Sequence, residues 1–418
     1  MESVFQSADI LLPDFSRVSG TRWSVVACDQ YTSDPEYWSA VETLVGSAPS
    51  TLRLMLPEIF LGKDDAARIQ KIHADMKEAL ATVLQKHPDA MIYLERRLDD
   101  GKLRRGLIGK VDLEAYDYNK GSTSLVRATE GTVLERIPPR VAVRRGAPLE
   151  MPHVMLLIDD PDRTVIEPLT GKLTEKLYDF ELMQRGGQVR GYALPKEKQT
   201  EVLAALAGLI TPQAMQKKYG SGDLSPLLFA VGDGNHSLAS AKAYYEEIKA
   251  KIGAAALNHP ARYALCEVVN LHDPDLEFEP IYRVLFGADA ADLTAAFRTA
   301  VAKLNGTAKP QTVTLLYGTK EETVAIPSPA KQLPVGTVQD FLDDYLKKHP
   351  DVRIDYIHGE ESVRALVAGK NAIGFLFAGM EKDELFRTVL YDGALPRKTF
   401  SMGHAHDKRF YLECRSIE

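Results

Sequence analysis

The sequence predicts an α/β to α+β protein with mixed sheets, built as a larger main domain and a smaller C-terminal α+β domain. Three observations lead there. Short apolar strand-like runs alternate with helical periodicities up to Phe286, the texture changes after it, and 418 residues exceed what one hydrophobic core ordinarily organises. The expected ranges are 1–286 for the main domain, with a subdomain split near 150 as an option, then 287–385, and a segment 386–418 that returns to the main domain.

Taken in order, Trp23 to Cys28 reads as a buried strand, followed by the polar loop Asp29-Gln30-Tyr31-Thr32-Ser33-Asp34-Pro35. Asp64 to Gln85 carries Ile69, Ile72, Met76, Leu80 and Leu84 at helical spacing and stops before His87-Pro88. Ala90 to Arg97, Leu103 to Asp112 and Val154 to Asp159 are β-rich runs bounded by the turns Asp99-Asp100-Gly101 and Asp159-Asp160-Pro161. Leu173 to Met183 and Lys196 to Ile210 read as helices. Leu227 to Val231 is a short apolar strand running into Gly232-Asp233-Gly234-Asn235-His236, and the alanine-rich stretch Ser237 to Ala250 behind it is helical. Tyr263 to Leu271 is a further strand. Beyond Phe286 come a helix (Ala290 to Leu304), a strand region (Lys309 to Pro334), a helix (Val338 to Lys347), a strand (Val352 to Ile357), a helix (Glu360 to Ala368) and a strand (Ala372 to Phe377).

Composition narrows the function. A net charge of -7 gives no general electrostatic affinity for nucleic acid. Cys28, Cys266 and Cys414 are far apart and in no Cys-x-x-Cys spacing, which supports neither a disulfide framework nor a zinc ribbon, and the cytoplasm is the expected compartment. Met1 to Phe5 lacks the pattern of an export signal, and no run approaches the ~18 apolar residues of a membrane span. A phosphate-binding Gly-x-x-x-x-Gly-Lys-Ser/Thr loop, a Gly-x-Ser-x-Gly elbow and a His-Glu-x-x-His helix are all missing.

The most informative segment is the turn Asp233-Gly234-Asn235-His236-Ser237. Gly232 and Gly234 free the backbone for close approach, and a strand-turn-helix order presents N–H groups and the positive end of a helix dipole to an anion. The alternative is a polar N-cap turn with Asn235 or Ser237 capping the helix. Arg127, Arg136, Arg140, Arg144 and Arg145, clustered around Glu130, supply candidates for an anion clamp or, alternatively, a solvated basic loop or oligomer contact; Glu130 and Asp233 are candidate bases or metal-binding carboxylates. His404, His406 and Asp407 form the one close-spaced set of metal-type ligands, and their alternative is an exposed polar turn.

This turn resembles the Asp-Gly-His-His-Arg motif of the domain of unknown function 1015 family, with Asn235 and Ser237 in place of the first His and the Arg. Further segments resemble that family in order along the chain: Asp29-Gln30-Tyr31 its Tyr-Asp region, Arg105-Gly106 with Val111 to Tyr116 its Arg-Gly strand, and Thr129-Glu130-Gly131-Thr132 its His-Glu-x-Thr segment. Glu279-Pro280-Ile281-Tyr282-Arg283 resembles its Pro-Thr-His-Arg segment, and Pro396-Arg397-Lys398-Thr399 its closing Pro-x-Lys-Ser. More loosely, the turn resembles the phosphate-binding motif of the ParB-like and sulfiredoxin-like superfamily, which includes free serine kinases. That resemblance implies a ParB-like main domain and phosphoryl chemistry, although the missing Arg after His236 removes a bidentate phosphate donor that another arginine must replace.

The expectation is therefore an enzyme acting on a small phosphorylated metabolite or nucleotide, by phosphoryl transfer or phosphate-ester hydrolysis, with Mg²⁺ and a nucleotide as cofactors. His236 would serve as acid/base, Asp233 or Glu130 would orient the nucleophile or the metal, and Gly234, Asn235 and Ser237 would hold the phosphate. Arg105, Arg136, Arg140 and Lys398 would neutralise it, with Thr132, Arg283, Asp29 and Tyr31 as further candidates. Two alternatives stay open: a non-catalytic regulator sensing a nucleotide or phosphometabolite, and a metal-dependent hydrolase centred on His404, His406 and Asp407. A homo-oligomer is compatible with either.

Overall fold

The computed structural model describes residues 3–369 and 371–418. The chain packs as two compact units, one formed by the chain up to Leu276 together with His404–Glu418, the other by Glu277–Gly403. The strand Glu279–Phe286, grouped with the main domain on sequence, pairs within the second unit, and His404–Glu418 is the part of the C-terminal segment that joins the first.

The first unit is organised by a mixed sheet, ten-stranded among the described residues. Its order is Lys176–Glu181, Gln188–Ala193, Ile92–Arg97, Leu103–Asp112, Tyr263–Asn270, Met155–Ile158, Phe229–Asp233, Val126–Ala128 and Tyr116–Asp117, with Phe5–Gln6 also pairing on Leu103–Asp112. Both faces are covered, and the period of two in the strands shows it: Met91, Tyr93 and Leu107 enter one core, while Ile92, Leu94 and Ile108 enter another. The central strands are accordingly apolar almost throughout, as buried strands must be. The long helices follow their patterns: Asp65–Thr82 buries Ile72, Met76 and Ala79, and Lys196–Gly208 buries Val202 and Leu206.

The predicted helix over Leu173 to Met183 is instead the strand Lys176–Glu181, hairpin-paired with Gln188–Ala193. The Tyr178 ring lies where a Cβ on Gly191 would stand, 2.1 Å from the ring, so the glycine opposite makes the strand register sterically possible. The Trp23 to Cys28 strand shrinks to Val25–Val26, paired with Phe410–Tyr411. Helices unforeseen in the sequence include Pro35–Val45, capped by the Asp34 side chain on the Tyr37 N–H, and Pro212–Tyr219, capped by Thr211.

The second unit is a separate antiparallel sheet in the order Lys320–Ile326, Gln311–Tyr317, Ala372–Phe377, Glu279–Phe286 and Arg353–His358, with Phe400–Ser401 paired to the start of Glu279–Phe286. Helices Ala290–Val301, Pro334–Lys348, Glu360–Gly369 and Lys382–Asp392 accompany it. The architecture is mixed α/β. No helix among the described residues is long and apolar enough to cross a membrane.

Candidate functional site

The strand Phe229–Asp233 runs antiparallel to Met155–Ile158, with Asp233 opposite Met155 and a bulge between Met155 and Leu156. Gly234 then turns the chain in the left-handed conformation, φ 78°, and the 18-residue helix Asn235–Ile252 begins. A Cβ on Gly234 would stand 3.1 Å from Val154 Cα and 3.3 Å from the His153 ring, so both the positive φ and the close approach call for glycine. As N-cap, Gly234 has no side chain to offer, and the first N–H groups of the helix, which have no acceptor within it, face outward from the turn uncapped. The N-cap alternative for Asn235 and Ser237 is thereby ruled out: both already lie inside the helix.

Around this turn the fold gathers ionisable and polar groups. Asp233 accepts the Gly234 N–H at 3.0 Å through Oδ1 and pairs through Oδ2 with Lys408 Nζ at 3.3 Å. The Val133 N–H donates to His236 Nε2 at 3.3 Å, leaning the loop before the helix Ile137–Arg144 over the turn. Burial holds the His236 imidazole below its ordinary value, reinforced by the positive charges of Arg140 and Arg136. Ser237 Oγ and His153 Nε2 are 2.6 Å apart, and His153 Nδ1 is 2.8 Å from the Tyr411 hydroxyl. Asp29 is close enough for its charge to act on His153 and Lys408: burial works to raise its carboxyl, but His153, the Gln30 amide and Lys408 outweigh it and the net displacement is downward, so Asp29 stands as a carboxylate.

Of the residues singled out in sequence, Asp29, Asp233, Gly234, His236 and Ser237 meet here, with Arg136 and Arg140 acting on His236 through space. Asn235 Nδ2 reaches Thr129 Oγ1 at 3.5 Å, while Asn235 Oδ1 and Thr132 Oγ1 are buried atoms lacking a hydrogen-bond partner. Glu130 sits half-buried in the same loop as Thr132. Arg140 is held by Glu58 and by the Arg136 carbonyl.

Other candidates are occupied elsewhere. Arg105 pairs with Asp273 at 3.3 Å, on a strand separated from Phe229–Asp233 by two others. Arg127 is fixed by the carbonyls of Ser124, Ser225 and Pro226, Arg144 by Glu150, and Arg145 by Glu247. Arg283 and Lys398 belong to the second unit, where the fully buried Arg283 donates to Gln339 and to the carbonyls of Ile281, Arg397 and Lys398; it is a structural arginine. Tyr31, at φ 51°, stacks on Tyr37 with ring centroids 3.6 Å apart.

His404, His406 and Asp407 lie together in a short turn. Asp407 accepts the His404 N–H at 2.8 Å and closes a single 3-10 turn rather than a strand, and no group of three or more His, Cys, Asp or Glu suited to a metal ion occurs among the described residues.

Sequence reading missed His153, Lys408 and Tyr411. Nothing local marks them: an isolated His, one Lys in a polar turn and an apolar-flanked Tyr reach the turn only because Phe410–Tyr411 pairs with Val25–Val26 and Met155–Ile158 pairs with Phe229–Asp233.

Among solved structures, the chain resembles a free serine kinase in complex with AMP, at TM-score 0.37 and 13% identity over 72% of this chain and 90% of that one. It also resembles a conserved hypothetical protein from Pyrococcus furiosus, at TM-score 0.34 and 12% identity over 74% and 94%. A third is SbnI with a C-terminal truncation from Staphylococcus aureus, at TM-score 0.34 and 9% identity over 71% and 83%. Likenesses this distant assign no chemistry. No curated protein matches the chain. A family profile does match, over residues 14–345, most of the length, and the chain belongs to the family described as protein of unknown function (DUF1015).

Proposed function

We propose that the Asp233–Ser237 turn binds the phosphate of a small phosphorylated metabolite or nucleotide, and that the protein is an enzyme carrying out phosphoryl transfer or phosphate-ester hydrolysis there. The observation that carries this reading is the convergence, at an uncapped helix N-terminus, of His236, Arg140, Arg136 and Lys408 with the carboxylates Asp29 and Asp233. The N–H groups of Asn235, His236 and Ser237 supply preorganised donors, and the nearby cations offset charge that develops on phosphate oxygens. Arg140 and Arg136 supply the positive charge that the residue after His236 does not.

His236, kept neutral near pH 7, can donate or accept a proton at the phosphate or at a leaving oxygen. Asp29 and Asp233, both within the influence of Lys408, are the carboxylates that fit a magnesium ion, which takes one or two carboxylates and fills its remaining positions with water and substrate oxygens. When bound, such an ion would neutralise phosphate charge. Nucleotides and phosphoserine are the first ligands to try, as the resemblance of the turn implies.

The test is a thermal-shift screen of the whole protein against nucleotides, phosphoserine and inorganic phosphate, with and without Mg²⁺, since a ligand that binds the folded state raises its melting temperature by mass action. One phosphorylated ligand should stabilise the protein, and His236→Ala should weaken that ligand by about tenfold or more, a loss of ~1.4 kcal/mol. Absence of any shift with every phosphate compound would refute the reading.

A further inference from the structure

Beside the turn, the first unit holds a partly open pocket of about 160 Å³. Its walls include Leu54, Met55, Leu61, Met76, Val143 and Met151, and its polar lining includes Ser237, His153, Tyr411 and the ion pairs Arg140–Glu58 and Arg144–Glu150. Apolar cavities of ~150 Å³ take up benzene, so the space matches one aromatic ring. Ser237 and His153 thus stand at the junction between an apolar compartment and the anion-binding turn.

Two hydroxyls frame the His153 ring, Tyr411 at Nδ1 and Ser237 at Nε2. The Tyr411 oxygen accepts the Cys28 N–H at 3.3 Å. With the ring proton on Nδ1, the same oxygen accepts it at 2.8 Å. In that tautomer His153 Nε2 is bare and accepts the Ser237 hydroxyl proton at 2.6 Å. A serine, a base in hydrogen-bond contact with it, and a third group orienting the base are the parts of an activated nucleophile.

We propose that Ser237 is a nucleophile, activated by His153 and positioned by Tyr411, that takes the phosphoryl group from phosphate monoesters of an aromatic alcohol whose ring fills the cavity. This deepens the function proposed above and rests on it. Ser237 Oγ attacks phosphorus while its proton passes to His153 Nε2; the ester P–O bond breaks, and the alcohol oxygen leaves with the electron pair and takes a proton from water. His153 returns its proton to solvent, then deprotonates the water that attacks the phosphoserine and passes that proton to Oγ as the P–Oγ bond breaks, restoring Ser237 and the neutral imidazole. The sum is ester plus water to alcohol plus phosphate.

The experiment uses the full chain and two fluorophosphonates, one carrying a phenyl group and one only a methyl group. In each, the Oγ–P bond forms as fluoride leaves, and the adduct is located by peptide mass spectrometry. The wild type should be labelled on Ser237 and Ser237→Ala not at all. His153→Gln should react about a hundredfold more slowly, and Val143→Phe, which fills the cavity, should slow the phenyl reagent about tenfold and leave the methyl reagent unaffected. Labelling at another residue, labelling that survives Ser237→Ala, or an unlabelled wild type overturns the proposal. Stabilisation by inorganic phosphate, measured alongside, separates the two readings. Phosphate binding without a label removes the nucleophile and leaves the anion site standing; a label on Ser237 without phosphate binding does the reverse; neither removes both.

Discussion

His236 is a residue whose charge is set by its neighbours. Burial and the fields of Arg140 and Arg136 depress its folded-state pKa below the ordinary 6.5. The unfolded chain therefore binds this proton more readily, so the contribution to stability is fully present above pH 6.5 and is lost as pH falls below it, until the folded-state value is passed. An anion bound at the turn offsets the two arginines and raises the His236 pKa, so binding takes up a proton. Calorimetric titration of phosphate at about pH 6 in two buffers of different ionisation heat should report that uptake; His236→Gln should abolish it, and an unchanged uptake would place the responsible group elsewhere. The residues His236, Asp233 and Ser237 were legible in the sequence because they share one short turn. Asp29 was legible as a polar residue closing a strand, but its partner His153 was not, because 124 positions of chain separate them and only packing makes them neighbours.

At the scale of elements, the strand-turn-helix unit is the part on which local sequence and final structure agree. Apolar Phe229, Ala230 and Val231 must be buried, Gly234 must reverse the chain, and the helix that follows is held by Leu238, Ala239, Ala241 and Tyr245. Gly234→Ala should destabilise the protein by about 1–3 kcal/mol in urea unfolding, because a Cβ at φ 78° is strained and meets the backbone of Val154. A cost near zero would mean that the turn can relax, and then it would be a poor platform for a fixed phosphate site. Where local reading failed, as at Lys176–Glu181, the strand is decided across the sheet by Gly191 making room for Tyr178, a contact invisible to periodicity. The short helix Pro35–Val45 escaped for the opposite reason: its cap, Asp34, and its first residue, Pro35, lie within a stretch whose composition reads as loop.

At the scale of the whole molecule, the last fifteen residues are part of the first unit's core. Arg409 enters the interior and pairs with Glu267 at 3.0 Å and with Glu413, whose other oxygen accepts the Tyr178 hydroxyl at 2.5 Å. Glu267 and Glu413 are fully buried, so Arg409→Met would leave Glu413 without a cation and Glu267 with Arg104 alone, 3.5 Å away, and should lower stability by roughly 3–5 kcal/mol in denaturant titration. A loss below ~1 kcal/mol would show that water reaches these carboxylates when the guanidinium is gone. The same closing segment brings Lys408 to Asp233 and Tyr411 to His153, so loosening it should also weaken phosphate binding at the turn.

By itself the sequence determined the mixed α/β class, the family and the turn at Asp233–Ser237, because each is written in neighbouring residues: an apolar run, two glycines, and a cluster of polar side chains at the start of a helix. Only the tertiary structure decided which of the many arginines stand by that turn, that Arg283 is buried in hydrogen bonds of the second unit, that His404, His406 and Asp407 share a 3-10 turn, and that His153, Tyr411 and Lys408 lie beside Asp233–Ser237. The physical reason is that a charge or a hydrogen bond acts over a few ångströms of space whatever the separation along the chain, and strand pairing and burial fix which distant residues come within that range.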